Sequence, residues 1–468
     1  MYYLGFVFLF FNCLSLYNSQ NIPSQVHIAL AGKNEYGIAN TMSISWSTVN
    51  DTQTHLVKYG NYPGIYTAIS NGYSQQYYET YHHHTTLSST IQPNTQYYYI
   101  VGDEINGFSK EFTFTSPSNK VNHNKPVSFL IYGDLGVWHS EDTLAYINKT
   151  VNTENIDLII HSGDIGYADD SFLHLGCITR FCYESTYDTY MDSIESWASK
   201  IPYMTAPGNH EADCHDISCL IDSERREKLS NFTAYNTRFS MPSEECGSYA
   251  LNMHYSFNYN NIHFIAIDSE TGYPNAPLEH RYFLPCGGFQ EQLNWLEDDL
   301  ITANINREEQ PWIFVYGHRP IYQGNNINIH LQTAMEELFY KYNVDIYFTG
   351  HIHSYERTWP TFQGNVLSTN PDTAYINPLS TIYLIIGGAG NDEMEDATIP
   401  ELNGMDDPDE SLSYKKHSND DYGPWSASVD LHHFGIGKVT VINATTLRFD
   451  YIQTSIEQIY DSIIIQKN

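Results

Sequence analysis

Acidic, amide, phenol and imidazole side chains recur in short loops that each follow an apolar run of the sequence. They stand in the segments YGDLG, GDIGY, GNHE, VYGH and GHIH and are Asp134, Asp164, Tyr167, Asn209, His210, His318, His351 and His353. Oxygen and nitrogen donors of these types, with no thiolate among them, suit iron, zinc or manganese. Because these donors outnumber the ligands of one tetrahedral ion, the sequence favours two metal ions that share a ligand. Asp164 is the predicted bridge, since it is central in the order and stands in a tight Gly-Asp turn.

Each loop follows a segment with the pattern of a buried strand, and helical patterns lie between these segments. The strand patterns are VSFLIYGD, IDLIIHSGD, IPYMTAPGNHE, PWIFVYGH and VDIYFTGHIH, and the helical ones are EDTLAYINKTV, TYDTYMDSIESWASK, GGFQEQLNWLEDDLITAN and LQTAMEELFYKYN. This alternation predicts an α/β domain over residues 125–460, a β-sheet sandwich flanked by helices. Its closing part, from about residue 375, returns to strands and includes a hairpin around Asn443 and Ala444. Ligands of such sheets bind beyond the carboxyl ends of the strands, so we expect the loops to meet there.

Residues 22–118 show a different pattern, in which short strands of period two alternate with turns and no helical stretch intervenes. The segments TMSISWSTV, THLVKYG, QYYYIVGD and KEFTFTS predict an all-β sandwich of the fibronectin type III kind. The polar segment 116–126 is predicted to be a linker. His82, His83 and His84 fall within the sandwich, and we interpret them as packing residues, within this domain or between domains, rather than as a metal site.

The charge balance of the chain argues against nucleic-acid binding. The 468 residues include 55 Asp and Glu against 22 Lys and Arg, which gives a formal net charge of -33. A surface this acidic repels phosphate backbones, although it is compatible with work in an acidic medium. Hydrophobic residues, at 41%, and aromatic residues, at 15%, are sufficient for sizeable cores and exclude wholesale disorder.

The first 19 residues are predicted to be a secretory signal peptide, because their apolar run is too short and too near the start to span a membrane. No other segment of the sequence has the length and apolar character of a membrane span. Cys13 would leave with the signal, and an even number of cysteines then remains, as is typical of disulfides in exported chains. Sequence proximity favours the pairs Cys177–Cys182, Cys214–Cys219 and Cys246–Cys286, among about fifteen pairings. Sequons predict N-glycosylation at Asn50, Asn148, Asn231 and Asn443.

Taken together, the five blocks resemble those of the purple acid phosphatases, a branch of the metallophosphoesterases. HIHSYERTWP resembles that family's His-x-His-x-Tyr-Glu-Arg run, and GDIGYADD resembles its Gly-Asp-x-x-Tyr-Ala-Asp. The N-terminal sandwich and the tail YGPWSASVDLHHFGIGKVTVINAT resemble the larger, plant-like members, so the likeness covers nearly the whole chain after the signal. The broader superfamily has Asp-x-His in its first block and no tyrosine in its second. Here Asp134-Leu135-Gly136 lacks the histidine, and Tyr167 is present.

The resemblance implies a pair of metal sites with one ligand in common. The ferric site would consist of Asp134, Asp164, Tyr167 and His353. The divalent site, for zinc, iron or manganese, would consist of Asp164, Asn209, His318 and His351. Phenolate is a hard anionic donor that favours ferric iron, and it would give the centre a charge-transfer colour.

The resemblance further implies a secreted or lysosome-like acid phosphatase that hydrolyses small phosphate monoesters with a metal-bound hydroxide as nucleophile. Asn209 and His210 would contact the phosphate, and His210 would also assist the leaving group as the catalytic histidine. Plant-like members carry a further histidine pair after the fourth block, whereas this chain offers only His330 there as a substrate ligand. The oligomeric state, a homodimer included, stays open.

Two other functions also stay open. One is a phosphodiesterase or nucleotide pyrophosphatase that uses the same metal centre. The other is a secreted glycoprotein without enzymatic activity, whose β-sandwich binds a partner.

Overall fold

A computed structural model gives the arrangement of these segments. It describes residues 21–35, 37–88, 90–174, 176–177, 180–212, 222–223, 225, 232–243, 252–270, 289–369, 374–395 and 422–468. The predicted signal peptide, the sequon at Asn231 and the cysteines Cys214, Cys219, Cys246 and Cys286 lie outside these residues, so their predictions stay predictions.

The N-terminal part of the chain is all β. Its strands are β1 (Ser24–Ala31), β2 (Thr41–Thr48), β3 (Leu56–Gly60), β4 (Ala68–Asn71), β5 (Tyr73–Tyr77), β6 (Thr80–Thr86), β7 (Gln96–Asp103), β8 (Gly107–Phe108) and β9 (Phe112–Thr115). One antiparallel sheet has the order β1-β2-β6-β5, and the other has the order β4-β3-β7-β8 with β9 also paired to β7. Trp46, Val57 and Tyr99 are buried in their common core. The predicted sandwich is therefore confirmed.

The second part of the chain combines many strands with helices. Its described strands are β10 (Val127–Tyr132), β11 (Leu135–Gly136), β12 (Leu158–Ser162), β13 (Ile165–Gly166), β14 (Tyr203–Ala206), β15 (Tyr255–Tyr259), β16 (Ile262–Ala266), β17 (Trp312–Tyr316), β18 (Tyr322–Gln323), β19 (Asn326–Ile327), β20 (Ile346–Thr349), β21 (Tyr355–Thr358), β22 (Thr361–Phe362), β23 (Asn365–Val366), β24 (Ala374–Ile376), β25 (Ile382–Ile386), β26 (Ser426–Asp430), β27 (Gly435–Val441), β28 (Thr446–Gln453) and β29 (Gln458–Gln466).

Two seven-stranded mixed sheets form the body of this part. The first has the order β14-β12-β10-β27-β28-β29-β24, and the second has the order β15-β16-β17-β20-β25-β21-β26. In the first, β10, β12 and β14 run parallel, and in the second β16, β17, β20 and β25 run parallel. The predicted hairpin around Asn443 is the antiparallel pair β27 and β28. The near-continuous apolar sequences of β10 and β12 fit strands that are buried on both faces.

The sheets pack face to face through aromatic side chains. The ring of Phe129 on β10 meets that of Phe264 on β16 edge-on, at 5.2 Å between ring centroids. Phe348 on β20 likewise lies 6.4 Å from Phe449 on β28. These four rings are all buried, and full burial of a phenylalanine side chain is worth roughly 1.5–3 kcal/mol. This core fixes the distance between the sheets, and the predicted β-sheet sandwich is confirmed.

Helices alternate with these strands along the chain. They are α1 (Glu141–Thr153), α2 (Tyr183–Ala198), α3 (Asn209–Ala212), α4 (Thr233–Arg238), α5 (Phe289–Ile305), α6 (Ile329–Leu331), α7 (Glu337–Lys341) and α8 (Asp392–Glu395), with a 3-10 helix at Ala168–Leu173 and a π-helical turn at Gln332–Glu336. Leu296 and Leu300 of α5 pack with Ile313 and Val315 of β17 in one buried cluster. Among the described residues, no helix has both the length and the apolar character that crossing a membrane requires.

Histidines of the sandwich join it to the second part of the chain. The Nε2 atoms of His27 and His84 lie 2.9 and 2.8 Å from the carbonyl oxygens of Arg238 and Thr237, at the end of α4. Burial lowers the pKa of His84 to about 4, so its ring is neutral and donates one N–H. The interpretation of this histidine run as packing residues is confirmed for His84.

The disulfide and the sequons can be located in part. Cys177 and Cys182 are bonded, which confirms one predicted pair, and Cys182 is the residue that precedes α2. Asn50 and Asn148 are exposed, and Asn443 is half-buried.

Candidate metal centre

The ligand-bearing loops meet at one end of the two sheets. Asp134, Asp164 and Asn209 follow the parallel neighbours β10, β12 and β14, while His318 follows β17 and His351 follows its parallel neighbour β20. Parallel strands end at the same edge of a sheet, and the packing of the two sheets brings both edges together. The structure therefore brings together the side chains that the sequence placed in separate loops, and all of them are buried except His353, whose side chain is 12% exposed.

Several of these residues have an unusual backbone. A left-handed conformation is found at Asp134 (φ 62°), Asp164 (φ 56°), Tyr167 (φ 50°) and His351 (φ 69°). The ligand-bearing residues themselves therefore make the sharp turns, together with glycines such as Gly163 (φ 85°). Gly208 and Gly350 are required because a side chain would clash with a ligand carboxylate. A Cβ atom on Gly208 would lie 2.1 Å from Asp164 Oδ1, and one on Gly350 would lie 2.1 Å from Asp134 Oδ2. Strain of this kind often marks functional sites.

A phenol, an imidazole and carboxylates converge in the first donor set. Tyr167 Oη lies 2.8 Å from His353 Nε2, 3.1 Å from Asp134 Oδ1 and 3.4 Å from Asp164 Oδ2. His353 Nε2 lies 3.3 Å from Asp134 Oδ1. The backbone N–H of His351 donates to both carboxylate oxygens of Asp134, at 3.0 and 2.9 Å, and so orients that carboxylate.

An amide oxygen and two imidazoles converge in the second set. Asn209 Oδ1 lies 2.9 Å from His318 Nε2 and 3.0 Å from His351 Nδ1. Asp164 Oδ2 lies 3.0 Å from His318 Nε2. The ligand atoms of Asp164, His318 and His351 all lie within 4.8 Å of one another. Because Asp164 Oδ2 contacts both this set and Tyr167, Asp164 links the two donor sets.

The donors of both sets fit cations by their chemistry. Burial would raise the pKa of Asp164, but the neighbouring His318 and His210 outweigh it and hold that pKa well below its ordinary value. Burial would lower the pKa of His318, but the charge of Asp164 raises it to about 10. A buried histidine with a raised pKa indicates a negative electrostatic potential, which also favours the binding of a metal ion. Burial and then the charge of Arg319 hold the pKa of His351 well below its ordinary value, so this ring is a neutral ligand.

Hydrogen bonds from outside the donor sets hold their members in place. His318 Nδ1 lies 3.0 Å from the carbonyl oxygen of Ser162, so it carries a proton and leaves Nε2 as the ligand atom. Asn391 Nδ2 donates to the carbonyl oxygen of Asp134 at 3.0 Å.

Glu211 ties two ligand loops together. Its carboxylate accepts backbone N–H groups of Asp164, Ile165 and Gly208 at 2.9, 2.8 and 2.8 Å. Burial and then the charge of Asp164 raise its pKa to about 8. Glu211 stands in the GNHE segment, but sequence reasoning gave it no role.

His210 stands beside the two sets rather than in them. Its Nδ1 lies 3.0 Å from Asp169 Oδ1, and its Nε2 lies 3.9 Å from Asp164 Oδ2 and 3.8 Å from Glu393 Oε1. Burial lowers its pKa, but the charges of Asp169 and Asp164 outweigh this and raise the pKa well above the ordinary value. His210 can thus present a protonated Nε2 towards the centre.

Glu393 joins the site from a distant part of the chain. It belongs to α8, which follows β25, and its Oε2 lies 3.6 Å from His353 Nδ1. Sequence reasoning missed Glu393, because no periodicity or motif links it to the five blocks. His330 lies half-buried on the short helix α6, and its role as a substrate ligand stays a prediction.

Comparisons with known proteins agree with this architecture. Three family models match in order: "Purple acid Phosphatase, N-terminal domain" over residues 23–116, "Calcineurin-like phosphoesterase" over residues 127–355, and "Iron/zinc purple acid phosphatase-like protein C" over residues 380–462. Acid phosphatase type 7 of Danio rerio is 31% identical over 406 residues, which is 81% of each chain. Probable purple acid phosphatase 20 of Arabidopsis thaliana is 30% identical over 446 residues, covering 92% of this chain and 84% of its own.

Solved structures show the same fold. The purple acid phosphatase PPD1 from yellow lupin (Lupinus luteus) seeds superposes with a TM-score of 0.70 at 22% identity, covering 96% of this chain and 75% of its own. The identity of the relatives, their coverage and the three consecutive family models settle the family. The chain belongs to the purple acid phosphatases, within the metallophosphoesterases.

Proposed function

We propose that this protein is an acid phosphatase that hydrolyses phosphate monoesters of small molecules with one ferric and one divalent ion, the latter zinc, iron or manganese. The single observation that carries the proposal is the position of Asp164 Oδ2, which lies 3.4 Å from the phenol oxygen of Tyr167 and 3.0 Å from the imidazole Nε2 of His318. A carboxylate between a phenol and an imidazole is placed to serve two ions that prefer different donors. The family to which the chain belongs supports the same conclusion.

The donor types divide naturally between the two ions. Ferric iron prefers hard anionic oxygen, which is supplied by the set Asp134, Asp164 and Tyr167, with His353 as a fourth ligand. The divalent ion would be held by Asp164, Asn209, His318 and His351. When bound, the two ions would offset the charge of the phosphate dianion and lower the pKa of the attacking water, so that hydroxide is available in acid.

The chain itself would supply the proton for the leaving group. His210 holds Nε2 towards the centre because Nδ1 is bound to Asp169, and only a proton on Nε2 can pass to an alkoxide. The amide of Asn209, which lies next to His210, can contact a phosphate oxygen while its Oδ1 faces the histidines. Burial of both residues excludes bulk water and strengthens these electrostatic contacts.

Export through the secretory route is part of the proposal. The apolar N-terminus, the disulfide between Cys177 and Cys182 and the exposed sequon residues Asn50 and Asn148 support a secreted or lysosome-like glycoprotein. Protein from a secreting eukaryotic host should lose mass on deglycosylation. Asn50→Gln and Asn148→Gln should each remove one glycan from that mass.

Metal analysis combined with rate measurements tests the function. We expect about one iron and one divalent ion per chain, a visible absorption band, and faster turnover of p-nitrophenyl phosphate than of its bis ester at pH 5. A faster bis ester would instead indicate a phosphodiesterase on the same centre. Metal-replete protein that turns over neither ester would favour the glycoprotein without activity, and colourless protein without iron would refute the proposed centre.

A further inference from the structure

A buried ion pair lies directly behind one histidine of the divalent site. Arg319 Nε lies 2.8 Å from Glu270 Oε2 and 3.1 Å from Oε1, and the two side chains are only 1% and 0% exposed. On its other side, Arg319 Nη1 lies 3.2 Å from His351 Nε2. The guanidinium thus stands between a carboxylate and the outer nitrogen of a metal-ligand histidine.

Several hydrogen bonds fix this pair in place. The backbone N–H of Arg319 donates to Ser269 Oγ at 2.9 Å, and that hydroxyl donates to Glu270 Oε1 at 3.0 Å. Tyr347 Oη donates to the carbonyl oxygen of Arg319 at 2.9 Å, and the N–H of Glu270 donates to Asp268 Oδ1 at 2.8 Å. Both members are therefore held by their backbones as well as by each other, and the guanidinium has one defined position against His351.

The two histidines of the divalent site differ in the group that faces the outer nitrogen of each ring. The outer nitrogen of His318 faces a neutral carbonyl group, that of Ser162, at 3.0 Å. The outer nitrogen of His351 faces a full positive charge. In a buried site, a positive charge beside a ligand opposes the binding of a cation to that ligand.

We propose that Glu270 tunes the divalent-metal site through Arg319: its carboxylate cancels the charge of the guanidinium, which would otherwise repel the divalent ion. This inference rests on the proposed two-ion centre, and it concerns residues outside the seven ligands. It predicts opposite signs for the two single substitutions. Loss of the carboxylate leaves a net positive charge beside the site, whereas loss of the guanidinium leaves a net negative charge.

The test is a set of three variants with the dissociation constant of the divalent ion as readout. Zinc affinity of the iron-containing protein is measured by competition with a chelator for wild type, Glu270→Gln, Arg319→Gln and the double variant. E270Q should weaken zinc binding by about 10- to 100-fold, the range expected for partners of metal ligands. R319Q should bind zinc more tightly than wild type, and the double variant should regain most of the loss seen in E270Q.

A second buried ion pair provides the control. Arg357 Nε lies 2.6 Å from Asp461 Oδ2, and both side chains are largely buried. Arg357→Gln should lower the melting temperature without changing zinc affinity, which separates loss of stability from loss of charge balance. If E270Q does not fold, R319Q decides alone, because lost support predicts weaker binding and the charge argument predicts the opposite.

The outcomes separate this inference from the proposed function. Wild-type protein that takes up no second ion overturns the proposed centre and the inference with it. Wild-type protein that binds both ions, with E270Q unchanged or with both single variants equally weakened, overturns the inference alone.

Discussion

Tyr167 Oη lies 2.8 Å from His353 Nε2, and the two side chains belong to loops 186 residues apart in sequence. Tyr167 reaches this position from a left-handed backbone, with φ of 50°, immediately before the 3-10 helix at Ala168–Leu173. A bulky residue in this conformation is uncommon, and strain of this kind is concentrated at functional sites. We infer that the phenol is aimed at the centre for its chemistry rather than for packing.

Tyr167→Phe should abolish the visible absorption band of the iron-loaded protein. The phenol oxygen is the only donor in the two sets that can give a tyrosinate-to-iron transition, and phenylalanine preserves the ring. Tyr190→Phe is the matched control, since Tyr190 is equally buried but its Oη lies 3.1 Å from His161 Nδ1. Visible spectra and iron content of the two variants, measured side by side, decide the matter. A coloured Y167F protein would remove Tyr167 from the ligand set.

Asp169→Asn should impair the transfer of a proton from His210. The charge of Asp169 counteracts burial and raises the pKa of His210, so its removal lowers that pKa. Because the protonated form is the active one, activity should be lost at a lower pH than in wild type, and the alkaline limb of the pH profile should move towards acid. We expect kcat to fall by about 100-fold for phenyl phosphate, within the range for general acid catalysis.

The leaving group supplies the control for this prediction. p-Nitrophenolate leaves without much help from an acid, so D169N should affect p-nitrophenyl phosphate far less than phenyl phosphate. Equal losses of kcat for both esters would mean that Asp169 supports the fold of the site and not the proton on His210.

The seven donors could be predicted from the sequence because the strands that carry them are recognisable. Apolar runs that end in Gly-Asp, Gly-Asn-His or Gly-His each mark the end of a strand, and parallel strands must end at a common edge. Asp134 and Asn209 therefore share one edge of the first sheet, and His318 and His351 share one edge of the second, for reasons that the sequence contains. Asp169 and Glu211 stand inside quoted motifs, yet only the folded loops reveal their partners, His210 and the N–H of Asp164.

Other residues of the site leave no trace in the sequence pattern. Glu270 and Arg319 are 49 residues apart in sequence, and Glu393, which follows β25 of the second sheet, lies near His210. The contact between Glu270 and Arg319 depends on how the loops after β16 and β17 fold, and that between Glu393 and His210 depends on the packing of one sheet on the other. Local periodicity has no signal for either. The closing segment is a similar case: its strands were predicted, but their division between the two sheets, with β27 beside β10 and β26 beside β21, is visible only in three dimensions.

Glu211→Gln should weaken the contact between the loop that carries Asp164 and the loop that carries Asn209. Its carboxylate accepts three backbone N–H groups, and an amide can offer only one oxygen to them. An amide N–H group would then face a backbone donor in a buried place, at a cost of about 1–3 kcal/mol in the free energy of unfolding. Urea denaturation at about pH 9, above the pKa of Glu211 of about 8, measures this loss for the ionised side chain, with the exposed Glu141→Gln as control. A stability equal to that of wild type would show that the loops are held without Glu211.

His84→Gln should reduce the sensitivity of the protein to acid. The pKa of His84 is about 4 in the folded protein, because of burial, against an ordinary value of 6.5. Above pH 6.5 the ring is neutral in both states and makes no pH-dependent contribution. As the pH falls from 6.5 towards 4, only the unfolded chain takes up this proton, so the free energy of unfolding drops by about 1.4 kcal/mol per pH unit.

H84Q removes that titration, although it also weakens the bond to Thr237 at all pH values. The slope of the unfolding free energy between pH 6 and pH 5 is therefore the quantity to compare, not its absolute value. This slope should be smaller in H84Q by about 1.4 kcal/mol per pH unit, which corresponds to the uptake of one proton. His432→Gln, at an exposed position, should leave the slope unchanged. Identical slopes for H84Q and wild type would mean that His84 takes up its proton equally in the folded and unfolded states. The contact between the sandwich and the second part of the chain would then not depend on a neutral His84.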